Sequence, residues 1–372
     1  MYSSIRISGY RGLDSFRMEK LGRVNLLVGK NNSGKTSILE CIELLRSAGN
    51  PHVLSSIVGR RGEWAYAGEG DARTSYGARP EPLDVSHLFA NHELNGEIRI
   101  EADRSGDVGA AGWNDKVMVH VENPSDSELD EGDDVTGDDE ERLVLHVKWT
   151  DRQDDYRTFV TDEGLLWRLR RPMRMRNGSN QAVQFVRTSG LTSADVVRTY
   201  SRFKFTKRDE AIKQALRVVE PAVEDISPIG PGADSPRLSY RDAPGGVVLK
   251  LRGIDGQVPI GSMGDGMWRM LGLALSISNA SGGVLLVDEI DTGLHYTVME
   301  DMWRMIGERA AALSVQVFAT THSRDCYESL GAAVESGVGD VTIQRIDRSR
   351  GKAVGFTTRA VVAAGERNVE VR

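Results

Sequence analysis

Cysteine is nearly absent from this chain of 372 residues, with only Cys41 and Cys326. Two isolated cysteines make neither a disulfide framework nor a zinc site. Long apolar runs are missing too. None approaches the ~20 residues that cross a bilayer, so no membrane partner is expected. The N-terminus, Met1 to Ile7, has no apolar secretion-signal core and reads as a strand, which points to a cytoplasmic protein. No internal repeat and no long heptad run occurs, so the sequence offers no coiled-coil arms.

A basic excess is also missing, since the formal net charge is −7. Eleven acidic residues and no Lys or Arg lie between Glu122 and Glu141. Without them the chain holds 47 basic and 43 acidic residues. One acidic stretch sets the overall sign, and a nucleic-acid partner is not excluded. Its composition predicts a disordered surface loop.

Four regions follow along the chain. Residues 1–50 read strand, turn, strand, loop, helix: Val24 to Val28 is an apolar run, and Ile38, Leu39, Ile42 and Leu45 recur at helical spacing before Gly49, a plausible stop. Residues 51–190 are expected to form a strand-rich insert, because Glu97–Glu101, Lys116–His120, Leu143–Val147 and Tyr156–Val160 alternate in polarity. Residues 191–260 read as a helical segment, to about residue 226, and then a β-hairpin with Gly245 and Gly246 at its turn. From 261 to 372 helices and strands alternate as in a parallel α/β sheet, which with residues 1–50 makes the core of one α/β unit.

Gly29-Lys30-Asn31-Asn32-Ser33-Gly34-Lys35-Thr36 fits the pattern G-x-x-x-x-G-K-[ST]. Glycines let such a loop curl until its N–H groups face phosphate oxygens, and the helix behind it adds its dipole. Lys35 then reaches the β- and γ-phosphates of ATP, Thr36 ligates Mg²⁺, and Ser37 continues the cradle. A glycine-rich turn is the plainer alternative, but the apolar strand before the loop and the amphipathic helix after it favour the phosphate reading. Val284 to Val287 is a second apolar run, ending in Asp288 and Glu289. Carboxylates at a strand's C-terminal end suit a Mg²⁺ ligand, Asp288, and a base for the attacking water, Glu289. A helix cap is the plainer reading of that pair. A third strand ends in Thr320-Thr321-His322-Ser323, where His322 suits a γ-phosphate sensor.

With these residues in view, the chain resembles ABC-class ATPases of the SMC/RecF/OLD group, and most of all their compact stand-alone members. The stretch Ile5 to Leu13 matches the group's first strand and its aromatic-Arg-Gly turn at Tyr10-Arg11-Gly12. Ser262-Met263-Gly264-Asp265-Gly266 resembles the signature motif, with Met263 in place of a usual glycine. Asp291 to His295 resembles the D-loop, His322 the switch histidine, and Gln184 the Q-loop glutamine. The resemblance implies an ABC/SMC-type P-loop NTPase head that binds ATP and Mg²⁺. Its phosphate site takes in Gly29, Asn31, Asn32, Ser33, Gly34, Lys35, Thr36, Ser37 and Arg11, with Thr36, Asp288 and Gln184 on the metal. Catalysis falls to Glu289, Lys35 and His322. The resemblance also implies a head-to-tail homodimer, in which Ser262 and Gly264 of one copy close on the ATP of the other. Residues 55–180 match the group poorly, and too little chain follows His322 for a TOPRIM nuclease, so no nuclease activity is expected.

The resemblance implies a regulatory ATPase of bacterial anti-phage defence that works with a separately encoded effector protein. A DNA-binding ATPase of repair or chromosome maintenance is the alternative, supported by Arg168, Arg170, Arg171, Arg174 and Arg176 with Arg202, Lys204, Lys207 and Arg208. A nucleotide-gated scaffold with little hydrolysis is the third reading, and a transporter subunit the most distant.

Overall fold

A computed structural model of the chain describes residues 1–47, 51–63, 83–105, 114–123, 143–149, 156–161, 164–165, 182–229, 246–358 and 360. Gly49, Gly245, Arg168, Arg170, Arg171, Arg174, Arg176 and almost all of the acidic stretch lie outside these residues.

One large sheet organises the molecule. Its strands are β1 (Tyr2–Tyr10), β2 (Leu13–Glu19), β3 (Val24–Val28), β4 (Glu97–Arg104), β5 (Asn114–Glu122), β6 (Leu143–Trp149), β7 (Tyr156–Thr161), β8 (Gly164–Leu165), β9 (Val183–Val186), β13 (Val284–Val287), β14 (Gln316–Thr321), β15 (Val341–Asp347) and β16 (Lys352–Thr357). A separate antiparallel sheet holds β10 (Val223–Ile229), β11 (Gly246–Leu251) and β12 (Val258–Pro259). The helices are α1 (Lys35–Arg46), α2 (Pro51–Arg61), α3 (Ser193–Phe203), α4 (Lys207–Arg217), α5 (Asp265–Asn279), α6 (Tyr296–Ala312) and α7 (Arg324–Glu335).

The large sheet runs in the order β8-β7-β6-β5-β4-β1-β2-β16-β15-β3-β14-β13-β9. Its last part, β15, β3, β14, β13 and β9, is parallel throughout. The stretch from β8 to β2 is antiparallel at every step. Every residue of β3, β13 and β14 is buried. That is why these strands read as continuous apolar runs: helices cover both of their faces. Alternate residues feed two cores. Leu285, Val287, Val317 and Ala319 join the side chains of α5, α6 and α7. Val284, Leu286 and Phe318 join Ile38, Leu39, Ile42 and Leu45 of α1.

The α1 core extends across the antiparallel half. Ile98, Ile100, Val117 and Val119 are buried in it, whereas Glu97, Arg99, Lys116 and His120 occupy the opposite face. The strands expected as a separate insert therefore continue the core sheet outward from β1. β9 does otherwise: it crosses to the far edge and pairs in parallel with β13.

The segment expected to be helical to residue 226 stops sooner. Thr192 and Thr206 cap the N-termini of α3 and α4 with their side-chain oxygens. Phe205 breaks the two helices apart at φ 65°. Residues 223–226 then belong to β10, where Val223 and Ile226 are buried and pair with β11. Val223 and Ile226 stand three residues apart because the register shifts between Val223 and Asp225, and that spacing imitates the helical one upstream.

Candidate active site

The phosphate loop joins the end of β3 to α1. Gly34 sits at φ 93° as the N-cap of α1, and an added Cβ would meet Leu13 at 3.1 Å. Gly29 has φ 153°, and its Cβ would meet the Ser33 hydroxyl at 3.0 Å and the Ile346 carbonyl at 3.2 Å. Both positions need glycine. Lys35 is buried and folds over its own loop, donating to the carbonyls of Gly29 and Lys30 at 2.9 Å each. Burial lowers its ammonium pKa to about 8, against the raising effect of Asp288 and Glu289.

The parallel half brings the acidic pair to this loop. Thr36 donates its hydroxyl to the Asp288 carboxylate, at 3.1 Å and 3.3 Å from its two oxygens. Thr320, at the end of β14, donates to Asp288 Oδ1 at 2.7 Å and accepts the Glu289 N–H at 2.8 Å. Glu289 itself lies at φ 45°, left-handed for a side chain that seldom adopts it. Such a residue costs of order 1–3 kcal/mol, and the surrounding hydrogen bonds hold it there. The strain turns its carboxylate toward His322, whose Nε2 is 3.9 Å from Oε1. Asn31, Asn32, Glu289, Asp291 and His322 line an open cleft of about 320 Å³. A second hollow of about 230 Å³ adjoins it along Gly29, Lys30, Asn31, Thr321, His322 and Ser323.

Arg269 carries a part the sequence did not announce. It projects from α5, is 5% exposed, and donates to three backbone carbonyls. These belong to Arg187 at 2.8 Å, Asp288 at 3.0 Å and Glu289 at 2.7 Å. The turn carrying both carboxylates is thereby fastened to α5 of the same chain. An arginine within an apolar helical stretch was the available signal, because a buried guanidinium needs several acceptors.

The residues that resemble a signature motif lie at the N-terminus of α5. Ser262, Gly264 and Asp265 are exposed there, and Gly264, at φ 87°, is the N-cap with no side-chain cap bond. The turn from Asp291 to His295 packs against them, since a Cβ on Gly293 would meet Asp265 at 3.3 Å. Neither Ser262 nor Gly264 is among the residues lining the cleft of its own chain. His295 caps α6 with Nδ1.

Three expected site residues are placed differently. Gln184 is level with Leu285 in the β9–β13 pairing, and its amide donates to the Val183 carbonyl at 2.7 Å. Asp288 is three residues further along, about 10 Å at strand spacing, so Gln184 is no metal ligand here. Arg11 is committed to Glu63 by a two-pronged ion pair and to Glu40 at 3.3 Å, with the His87 carbonyl accepting a further bond. It braces α1 rather than facing the cleft. Ser37 is buried, and its hydroxyl accepts from Arg61 at 3.3 Å. Glu40, which also binds Arg61 and Tyr10, is the centre of this brace. Its place on the apolar side of α1 hid it from pattern reading.

A curled loop with a buried lysine, a Thr–Asp pair at the parallel strand ends and a strained glutamate beside a histidine define a P-loop nucleotide-binding head. Residues 24–325 match the family described as "AAA domain, putative AbiEii toxin, Type IV TA system", and the chain belongs to that family. It is 32% identical over 131 residues to the DNA replication and repair protein RecF of Stutzerimonas stutzeri, which spans 35% of this chain and 34% of that protein. An uncharacterized protein of Methanocaldococcus jannaschii is 33% identical over 99 residues, 25% of this chain and 44% of that one. The chain thus spans less than half the length of these relatives. The SMC head domain of Thermotoga maritima overlays 96% of the chain and 98% of its own at 12% identity, with a TM-score of 0.42. No helix among the described residues is long and apolar enough to cross a membrane.

Proposed function

We propose that the chain binds ATP with Mg²⁺ at the Gly29–Thr36 loop and hydrolyses it within a head-to-tail pair of copies. The observation that carries this reading is the linked set Thr36–Asp288–Thr320–Glu289. It puts a hydroxyl and a carboxylate together beside the loop and aims a second carboxylate into the cleft. Hard oxygen donors of this kind fit Mg²⁺, which when bound neutralises charge on the phosphates. Lys35 exchanges its loop carbonyls for phosphate oxygens. Glu289 polarises the attacking water, and His322 holds position beside the reacting phosphate. Exposed Ser262 and Gly264 of a second copy supply N-terminal helix donors in trans.

In the cell we read the protein as the regulatory ATPase of a defence system with a separate effector, because the family description names a toxin of a type IV system. The RecF likeness favours DNA binding as the second reading. Against it, Lys204 is already paired with Asp225 at 2.9 Å. Steady ATP turnover by the purified chain tests the first step. Glu289→Gln is expected to reduce it by about 10²–10⁴-fold while ATP still binds. Undiminished turnover by that variant would overturn the assignment.

A further inference from the structure

We propose that His120, Glu122 and His146 form a binding site for a divalent transition metal, with Zn²⁺ the best match, which pins β5 to β6. His120 and His146 are register partners on adjacent strands. Glu122, two residues past His120, lies on the same face. This face is opposite the one that Val117 and Val119 bury against α1. The imidazole rings stack with centroids 5.0 Å apart at 18°. The Glu122 carboxylate reaches both, with Oε1 at 2.9 Å from His146 Nε2 and Oε2 at 3.4 Å from His120 Nε2. One donor atom from each of the three residues lies within 4.8 Å of the others. The edge of a tetrahedron around Zn²⁺ is ~3.3 Å for bonds of about 2.0–2.1 Å, so modest side-chain rotation closes the set.

A second observation points the same way. His146 is 1% exposed, and both of its ring nitrogens are buried with no hydrogen-bond partner among the described residues. His120 Nδ1 is in the same condition. Glu122 is close enough to His146 to bond it, but off the line a ring N–H requires. A buried imidazole without partners is unfavourable. A cation that takes a nitrogen lone pair and a carboxylate oxygen together removes that penalty. The donor set also selects the metal. Two imidazoles with one carboxylate suit Zn²⁺ and its neighbours, whereas Mg²⁺ and Ca²⁺ need more oxygen ligands. Lys148 and Arg157 flank His146 along and across the strands. Their charge weakens any site held by electrostatics alone and leaves nitrogen coordination to decide. No residue of the phosphate loop takes part, and five strands lie between β5 and β3.

The test uses the full chain, untagged and stripped with a chelator. Titration with Zn²⁺ is expected to show one tight equivalent per chain and a rise in melting temperature that Mg²⁺ does not reproduce. Co²⁺ is expected to give visible d–d bands. Glu122→Gln, a change at a half-exposed position, should weaken Zn²⁺ binding by about tenfold or more. His146→Asn should abolish it, and ATP turnover should stay at the wild-type rate in both variants, which also reports that they fold. No stoichiometric binding by the wild type, or equal binding by wild type and Glu122→Gln, would overturn the proposal.

Discussion

In the parallel half of the sheet, β3, β13 and β14 are buried on both faces and end together beside the phosphate loop. In the antiparallel half, β4 and β5 bury alternate residues and turn the others outward. The same backbone chemistry yields two surfaces of different use. A parallel sheet leaves its strand ends as the place where loops converge, so its reactive groups gather at one edge. An antiparallel sheet has one face left over, and polar side chains there meet across strands, as His120 and His146 do. α1 serves both halves, because its apolar side chains pack on each.

If chemistry belongs to the parallel half alone, substitutions at its loop should have the largest effect. Lys35→Ala is expected to cost about 10²–10³-fold in turnover, because its ammonium meets charge that grows in the transition state. Single-turnover assays measure this directly. A loss of less than tenfold would break the division of labour.

The next effect concerns the brace that joins the halves. Glu40 accepts from Arg61, from Tyr10 and at longer range from Arg11, and is 2% exposed. Glu40→Ala takes the carboxylate from Arg61 and the acceptor from the buried Tyr10 hydroxyl, while Arg11 keeps Glu63, and should cost about 3 kcal/mol, seen as a lower urea midpoint. Melting of both halves together is expected, since α1 carries the contact to each.

Arg269→Lys should follow in size. One ammonium cannot span three carbonyls in the places a planar guanidinium reaches, so about 1–3 kcal/mol of stability is lost. Turnover should fall while the KM for ATP changes little, because the displaced group is the Glu289 turn and not the phosphate loop. A KM effect without a kcat effect would show that Arg269 is merely structural.

A pH series sharpens the view of Lys35. Its folded pKa, about 8, lies below the ordinary value of 10.5. The folded state therefore binds fewer protons than the unfolded state between these values, and the contribution of Lys35 to stability rises with pH across that window. Function runs the other way. Phosphate attraction needs the cation, so ATP affinity should fall by up to about tenfold per pH unit above pH 8. Lys35→Arg should remove that slope.

The sequence disclosed the two halves unequally, for physical reasons. The phosphate loop, the Asp288–Glu289 pair and the end of β14 were legible because loop curvature and strand burial constrain residue type at each position. The four antiparallel strands were legible from alternation, but their continuity with β1 was not, since no local pattern states which strand a hairpin joins. The crossing of β9 to β13 was hidden for the same reason. Glu40 and Arg269 stayed out of sight because a buried charge in an apolar helix has meaning only through partners distant in the chain. His120, Glu122 and His146 read as polar positions in ordinary strands until the register set them side by side.

The smallest expected effect tests the finest point of the comparison. Three residues along a strand separate a ligand from a strand residue, and only register decides. Gln184 pairs level with Leu285 and returns its amide to the Val183 carbonyl, so nothing in the cleft depends on it. Gln184→Ala should leave turnover and its Mg²⁺ dependence within about twofold, because a partly buried side chain away from the site moves stability by no more than ~1 kcal/mol. A shift of the Mg²⁺ midpoint in that variant would mean that β9 slides along β13 when nucleotide binds, bringing Gln184 to the mouth of the sheet.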